Sequence, residues 1–239
     1  MKMKGHNAMF PCCYCHIQGI WTPYSTNNIL YIPLDCHRHP DHGTNPSYDP
    51  LSLPHCTHDE VIQQVMEVEG TLVKAHWERL TMCINGLLSL SKLSSIQFPS
   101  SFPYDFMHLV WENLIPNMVE LWTGSYRSLL GSNFEISPTI WDKIGHMTYE
   151  CGMLIPSQFG VCVPNIKEKS TYFTTENWSF WTLFITPVVL QSAFSHQVYY
   201  EHFMELVQLV KLCVDFQIHS DNIMTLWTGI ATWVQQFEM

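Results

Sequence analysis

The segment FPYDFMHLVWENL, residues 102–114, marks the point where the chain is expected to change from extended to helical. The prolines at 99 and 103 disfavour a helix before it, and the apolar spacing that follows predicts a helix from Asp105 to Leu121. Asp105 and His108 are three residues apart, so both side chains should lie on one face of that helix. An acid at such a junction is either a plain N-cap or a metal ligand at the end of an extended segment. Both interpretations remain open from the spacing alone.

Before this segment, the sequence predicts few regular elements. Apolar residues at helical spacing after Asp59 indicate a long helix, or a pair of helices, that reaches Lys92. Residues 95–103 carry two prolines and predict an extended stretch. Residues 1–58 are rich in Pro, His, Cys, Asn and Tyr without a sustained period, which is typical of a loop-rich segment.

After this segment, helical patterns dominate. Ser137-Pro138 supplies an N-cap followed by proline at the first helical position, and Pro156 stops that helix. A loop is expected over residues 156–175. The predicted helices cover residues 139–153, about 175–192 with an interruption at Pro187, 198–217 and 220–238. The sequence therefore predicts a predominantly α fold with at most a few strands, all before Asp105.

Composition limits the possible functions. The 239 residues are 46% apolar and 13% aromatic, which is enough to bury a core. Eleven basic residues against 21 acidic ones give a net charge of −10, which opposes a broad electrostatic grip on nucleic acid. No apolar run reaches the roughly 18 residues of a membrane span, and no signal-type apolar core follows the start. These features predict an intracellular chain without a membrane span.

Nine cysteines without a secretory signal predict reduced thiols. Cys12-x-x-Cys15 has the spacing that lets two thiolates bind one tetrahedral zinc ion. The chain offers further nominal ligands in no regular spacing: His37, His39, His42, His55, Cys56 and His58. A zinc site and metal-free loop cysteines both remain open for this pair. Four other cysteines have apolar or helical surroundings and are expected in the core: Cys83, Cys151, Cys162 and Cys213.

Several strings occur in a fixed order along nearly the whole chain. They are GHN at 5–7, PCCYCHI at 11–17, YDP at 48–50, PYDFMHL at 103–109, IPS at 155–157, VPNI at 163–166, YFTTENWSFW at 172–181 and WVQQFE at 233–238. In this order they resemble the Tnp2-type transposases of CACTA (En/Spm-like) DNA elements, in the form found in fungal genomes. The resemblance implies a loop-rich segment at 1–58 and, at 59–239, a partial ribonuclease-H-like (DDE) α/β core with a helical insertion at about 122–220.

The resemblance also implies a set of catalytic residues. Three acids would hold two Mg²⁺ or Mn²⁺ ions about 3.5–4 Å apart. Asp105 corresponds to the second acid and Glu238 to the third, with Glu150 as the alternative third acid. His108 corresponds to the histidine after the second acid, and the cysteine motif corresponds to Cys12 and Cys15.

The implied reaction is metal-dependent DNA cleavage and strand transfer at transposon ends, in the nucleus. The family's first acid precedes the GHN string, so these 239 residues are expected to be catalytically incomplete. His55 and Cys56 also replace residues that the family prefers to be basic, which would weaken phosphate contacts. The alternatives are a non-catalytic helical protein-interaction or domesticated module, and a small zinc-binding protein.

Two further groups of residues are expected to be structural. Glu112 and Glu176 carry no assigned chemistry. The aromatic cluster is expected to pack in the core, with base stacking as its alternative; it comprises Trp178, Phe180, Trp181 and Phe184.

Overall fold

The computed structural model describes residues 10, 12, 14–21, 30–35, 46–70, 92–126, 132–156 and 162–239. The chain divides into two compact units. The first comprises Met1–Pro103 with Glu238, and the second comprises Tyr104–Phe237 with Met239.

The first unit has little regular structure. Strands β1 (Ile20–Trp21) and β2 (Leu30–Tyr31) pair antiparallel. Helix α1 (His58–Gly70) begins with a reciprocal cap, in which Glu60 N–H donates to Thr57 Oγ1 at 3.3 Å and Thr57 N–H donates to Glu60 Oε2 at 2.7 Å. The helix predicted from Asp59 is thus confirmed to Gly70, and residues 71–91 lie outside the described residues.

A small apolar core holds the described part of this unit together. Val61 and Val65 of α1 pack against Phe98, and all three side chains are buried. Residues 95–103 were expected to be extended, and that expectation is wrong. They form successive turns, with Ser101 N–H donating to Gln97 O and Phe102 N–H donating to Pro99 O.

Helix α2 opens the second unit and has two parts. Met107–Leu114 is π-helical and Ile115–Trp122 is α-helical. The predicted helix is therefore confirmed, but the π-helical form of its first turns was not predicted. Ile115 N–H donates to Val110 O, five residues back. Pro116 comes next and has no N–H for the carbonyl four residues before it. A wider turn accommodates that missing bond and the bulk of the proline ring.

The same arrangement recurs in α5, so the interruption expected at Pro187 does not occur. Helix α3 (Pro138–Leu154) and the short α4 (Ile166–Lys169), with its 3₁₀ turn Ser170–Tyr172, come first. Helix α5 then runs through Thr175–Phe180, a π-helical Trp181–Ile185 and Thr186–Val189. Thr186 N–H donates to Trp181 O directly before Pro187. The helix therefore continues past this proline by widening instead of breaking.

Two long helices complete the unit: α6 (Gln197–Cys213) and α7 (Ser220–Phe237). They are held together by His202 and Trp233, whose rings stack 4.8 Å apart. Trp233 Nε1–H donates to His202 O at 2.9 Å. The four predicted helices after residue 138 are all present, with α6 ending four residues before the predicted 217. The short α4 lies inside the predicted loop.

The core of the second unit is aromatic and aliphatic. Trp181 and Phe203 are fully buried, and Trp181 Nε1–H donates to the buried Thr148 Oγ1 at 3.1 Å. Core packing is thus confirmed for Trp178 and Trp181, whereas Phe184 lies on the surface. Two cysteines expected in the core are not there, because Cys151 and Cys162 are exposed.

The predominantly helical fold with few strands is confirmed. The described residues contain only the two-residue strands β1 and β2, so a partial ribonuclease-H-like core is not supported. The chain before Asp105 contains Pro99 and Pro103, which lack the N–H groups that a sheet would use. Within the described residues, no helix is both long enough and apolar enough to cross a bilayer.

Gly152 on α3 offers a test of this packing. A Cβ at this position would lie 2.4 Å from the backbone oxygen of Val163, so the two segments would have to separate. We expect Gly152→Ala to lower the free energy of unfolding by about 1–3 kcal/mol, measured by urea denaturation. Met153→Ala, at an exposed neighbour, should change it by less than about 0.5 kcal/mol. A more stable Gly152→Ala protein would mean that helix propensity alone governs this site.

Candidate acid and histidine site

Asp105 stands at the start of α2 and fixes the local chain. Its Oδ1 accepts the backbone N–H of His108 at 3.1 Å, and its carbonyl accepts the N–H of Leu109 at 2.9 Å. This is the geometry of an N-cap, so the plain interpretation of Asp105 is confirmed. The cap uses one carboxylate oxygen and leaves the other for a second role.

That second oxygen binds His108. The Asp105 Oδ2 to His108 Nδ1 distance is 2.6 Å, and His108 Nε2 lies 3.4 Å from Glu112 Oε2. Both ring nitrogens of His108 therefore face carboxylates. The protonated imidazole is the form that can donate to both.

The cluster continues to a second helix. Thr175, at the start of α5, donates its hydroxyl to Glu112 Oε1 at 3.0 Å. Thr174 caps α5 by accepting Asn177 N–H at 3.2 Å, and this cap positions Thr175 beside Glu112. Glu112 and Thr175 were not predicted from the sequence as members of the site. The spacing of Glu112 four residues after His108 was an available signal, whereas nothing local pointed to Thr175.

A cavity of about 500 Å³ lies beside this cluster in the second unit. It is bordered by α2, by the turn before α5 and by the first residues of α5. Its lining combines two carboxylates, four hydroxyls and apolar side chains: Glu112, Glu120, Ser170, Thr171, Thr174, Thr175, Pro116, Val119, Phe173 and Trp178.

The contacts shift the pKa values of both partners. The backbone N–H of His108 and then its side chain lower the pKa of Asp105. The hydrogen bond to Asp105, followed by the charges of Asp105 and Glu112, raises the pKa of His108. More than half of each side chain is exposed, at 58% and 56%, so water screens the pair and its stabilising effect is small.

The other sequence-predicted acids lie elsewhere. Glu150 is exposed on α3. Glu238 groups with the first unit, where its Oε1 accepts Leu34 N–H at 2.8 Å and its Oε2 lies 3.3 Å from Asp35 N. The sharing of a metal by Asp105 and Glu238 stays a prediction.

One cysteine of the cysteine motif lies beside a histidine. Cys15 is buried and forms an isolated antiparallel bridge with His55, with 3.9 Å between Cys15 Sγ and His55 Nδ1. The ladder continues through His16 N–H to Pro54 O and Cys56 N–H to Tyr14 O, both at 2.7 Å. Tyr14 N–H also points to Cys12 Sγ at 3.4 Å. His55 was one of several nominal ligands, and the fold places it beside Cys15.

Another nominal ligand, His58, has structural contacts. Its Nδ1 accepts Phe98 N–H at 3.0 Å and its ring stacks on Phe98. His16, inside the cysteine motif, faces Glu60. His37, His39 and His42 lie outside the described residues. In the described parts of the chain, no group of three or more His, Cys, Asp or Glu side chains is assembled to hold a metal ion. Cys151, Cys162 and Cys213 are free thiols.

No protein-family model, curated protein sequence or solved structure matches this chain.

The pH dependence of the Asp105–His108 pair follows from the two pKa shifts. The raised pKa of His108 means that its contribution is complete below the ordinary value of 6.5 and is lost as the pH rises through the folded pKa. The lowered pKa of Asp105 means that its contribution is complete above the ordinary value of 3.8 and is lost as the pH falls through the folded pKa. The pair is thus most stabilising between these limits.

We expect an NMR titration to give His108 a pKa above 6.5 in the unmodified chain. Asp105→Asn should bring it back towards 6.5, because the main hydrogen bond and its charge are lost. Asp142→Asn is the matched control, since it removes a comparably exposed carboxylate that pairs with Lys167. An equal fall in the pKa of His108 in both variants would contradict the assigned contact.

Proposed function

We propose that this chain contributes the cysteine motif, the second acid and its histidine to a DDE-type transposase, and that the 239 residues alone do not cleave DNA. The observation that carries the proposal is the Asp105–His108 contact of 2.6 Å. It joins the two residues that the resemblance places in the catalytic set.

The state of the Asp105 carboxylate supports a metal role. It is 58% exposed, and like any aspartate with an ordinary or lowered pKa it is ionised at neutral pH. Ionised carboxylate oxygens are the ligands that Mg²⁺ and Mn²⁺ prefer. Asp105 would bind the ion through Oδ2 once His108 releases it, while Oδ1 stays fixed by the cap.

His108 acts in this proposal as a positioning residue. Its two ring nitrogens lie beside Asp105 and Glu112, so it orients one carboxylate while balancing the charge of both. An ion arriving at Asp105 would replace the positive charge of the imidazolium. Metal binding is therefore expected to lower the pKa of His108 and to favour release of its proton.

Two features make the 239 residues incomplete in this proposal. The resemblance places the first acid before Gly5, and one or two acids hold a pair of metal ions poorly. The net charge of −10 also opposes phosphate binding, so DNA would be held mainly by cations outside these residues. In this proposal, DNA cleavage and a nuclear location are properties of the transposase that contains all three acids.

The test uses Mn²⁺ as a local probe. Because Mn²⁺ is paramagnetic, its binding at Asp105 should broaden the imidazole signals of His108 at concentrations that leave His202 sharp. His202 is the internal control, since it stacks on Trp233 between α6 and α7. Asp105→Asn should abolish the selective broadening, and Asp221→Asn, at an exposed acid on α7, should preserve it.

Selective broadening that persists in Asp105→Asn would rule out Asp105 as the metal ligand. The 239 residues could instead nick supercoiled DNA with Mg²⁺ or Mn²⁺, in a reaction that Asp105→Asn abolishes. That result would support the catalytic role of Asp105 but contradict the proposal that the 239 residues are inactive alone.

Zinc binding at the cysteine motif is the second candidate function. It is favoured by the short distance between Cys15 and His55 and by the contact of Tyr14 N–H with Cys12 Sγ, which holds the other cysteine of the motif in place. A tetrahedral zinc ion separates neighbouring sulfur and nitrogen ligands by about 3.6 Å, close to the observed 3.9 Å.

Metal analysis of the purified chain should then find about one zinc per molecule. Cys15→Ser and His55→Ala should each lower that content at least about tenfold. Cys151→Ser, at an exposed cysteine on α3, is the matched control and should leave it unchanged. An unmodified chain without zinc would end this candidate.

A further inference from the structure

The cavity beside α2 has one wall that is formed by a single face of that helix. Glu112, Pro116, Val119 and Glu120 all line the cavity, and residues at this spacing share one side of a helix. A carboxylate therefore lies at each end of the wall, with apolar side chains between the two. The glutamates are eight residues apart, which is on the order of 10 Å along the helix axis.

The remaining wall combines hydroxyl groups with an aromatic pair. Phe173 and Trp178 both line the cavity, and their ring centroids are 4.8 Å apart. Ser170, Thr171 and Thr174 add hydroxyl groups to the same wall. Hydroxyl oxygens accept hydrogen bonds, and aromatic rings attract cations. This wall therefore suits a ligand with positively charged N–H donors and a hydrocarbon body.

The charges of the lining are not balanced within the chain. The lining contains two glutamates and no Lys, Arg or His. Glu112 accepts the Thr175 hydroxyl and faces His108. The carboxylate of Glu120 has no hydrogen bond or ion pair with any of the residues that the structure describes. Together with the net charge of −10, this lining favours a cationic ligand over an anionic one.

We propose that the cavity binds a linear aliphatic polyamine, with one ammonium group at Glu112, another at Glu120 and its methylene groups against the apolar side chains between them. A metal ion would leave most of the volume of about 500 Å³ empty and the apolar wall uncovered. A triamine such as spermidine carries positive groups at both ends and hydrocarbon between them. This inference is independent of the function proposed above, because neither Asp105 nor His108 lines the cavity.

The exposure of the two glutamates sets the expected strength. Both carboxylates remain accessible to water, so each ion pair with the ligand contributes modestly. The affinity should therefore be moderate, should fall as salt is added and should depend on both ends of the ligand. Butylamine, which has one charged end, should bind more weakly than spermidine.

Isothermal titration calorimetry of the full chain with spermidine tests the proposal. The unmodified chain should bind one spermidine per molecule, and triacetylspermidine, which carries no charge, should not bind. Glu120→Gln should raise the dissociation constant for spermidine about three- to fivefold, because one of the two ion pairs is lost. Glu201→Gln is the matched control. It removes an exposed acid of α6 outside the cavity and should change the constant by less than about twofold.

Chemical shifts locate the bound spermidine. The indole N–H signal of Trp178 should move during the titration, whereas that of Trp233, between α6 and α7, should stay in place. Three results would overturn the proposal: no saturable binding of one spermidine per chain, equal weakening by Glu120→Gln and Glu201→Gln, or binding that leaves the Trp178 signal unchanged. Equal weakening would show that spermidine is attracted only by the net charge of the chain.

Discussion

The two oxygens of one carboxylate organise the candidate site. Oδ1 of Asp105 ends the irregular chain by capping α2, and Oδ2 holds His108 in front of Glu112. The capping bond fixes the orientation of the carboxylate before any ligand arrives. A metal ion would therefore meet an acid that is already positioned, and it would compete with a single imidazole. Asp105 is thus both an N-cap and a candidate metal ligand, and these two interpretations do not exclude one another.

The helix that carries this pair has an unusual local structure with a simple cause. Its first eight residues, Met107–Leu114, are π-helical and end two residues before Pro116. In α5, the π-helical Trp181–Ile185 likewise ends two residues before Pro187. In both places a proline removes one backbone donor, and the preceding turn widens. The buried bond from Trp181 to Thr148 then holds the widened part of α5 against α3. The wide turns of α2 are those on which His108 and Glu112 lie.

Much of the helical framework could be predicted because its signals are local. Ser137-Pro138 marks the start of α3, and apolar spacing gives α7 within one residue of its observed end. The π-helical turns could not be predicted, since a proline in a helical pattern also predicts a break. The ribonuclease-H-like expectation came from motif order, and motif order fixes no strand pairing. The structure describes only β1 and β2 where a sheet was implied.

The site could be predicted in part for the same reason. Asp105 and His108 are close in sequence and were identified together, and Glu112 continues their spacing by one turn. Thr175 and the pairing of Cys15 with His55 depend on segments 63 and 40 residues away, so only the fold reveals them.

The decisive experiment is anomalous diffraction from a crystal of the full chain soaked in Mn²⁺. If Asp105 is a metal ligand, an anomalous peak should lie about 2.1 Å from one of its carboxylate oxygens, with the His108 ring turned away from Oδ2. An Mn²⁺ ion bound at other carboxylates, with the Asp105–His108 contact intact, would contradict that role.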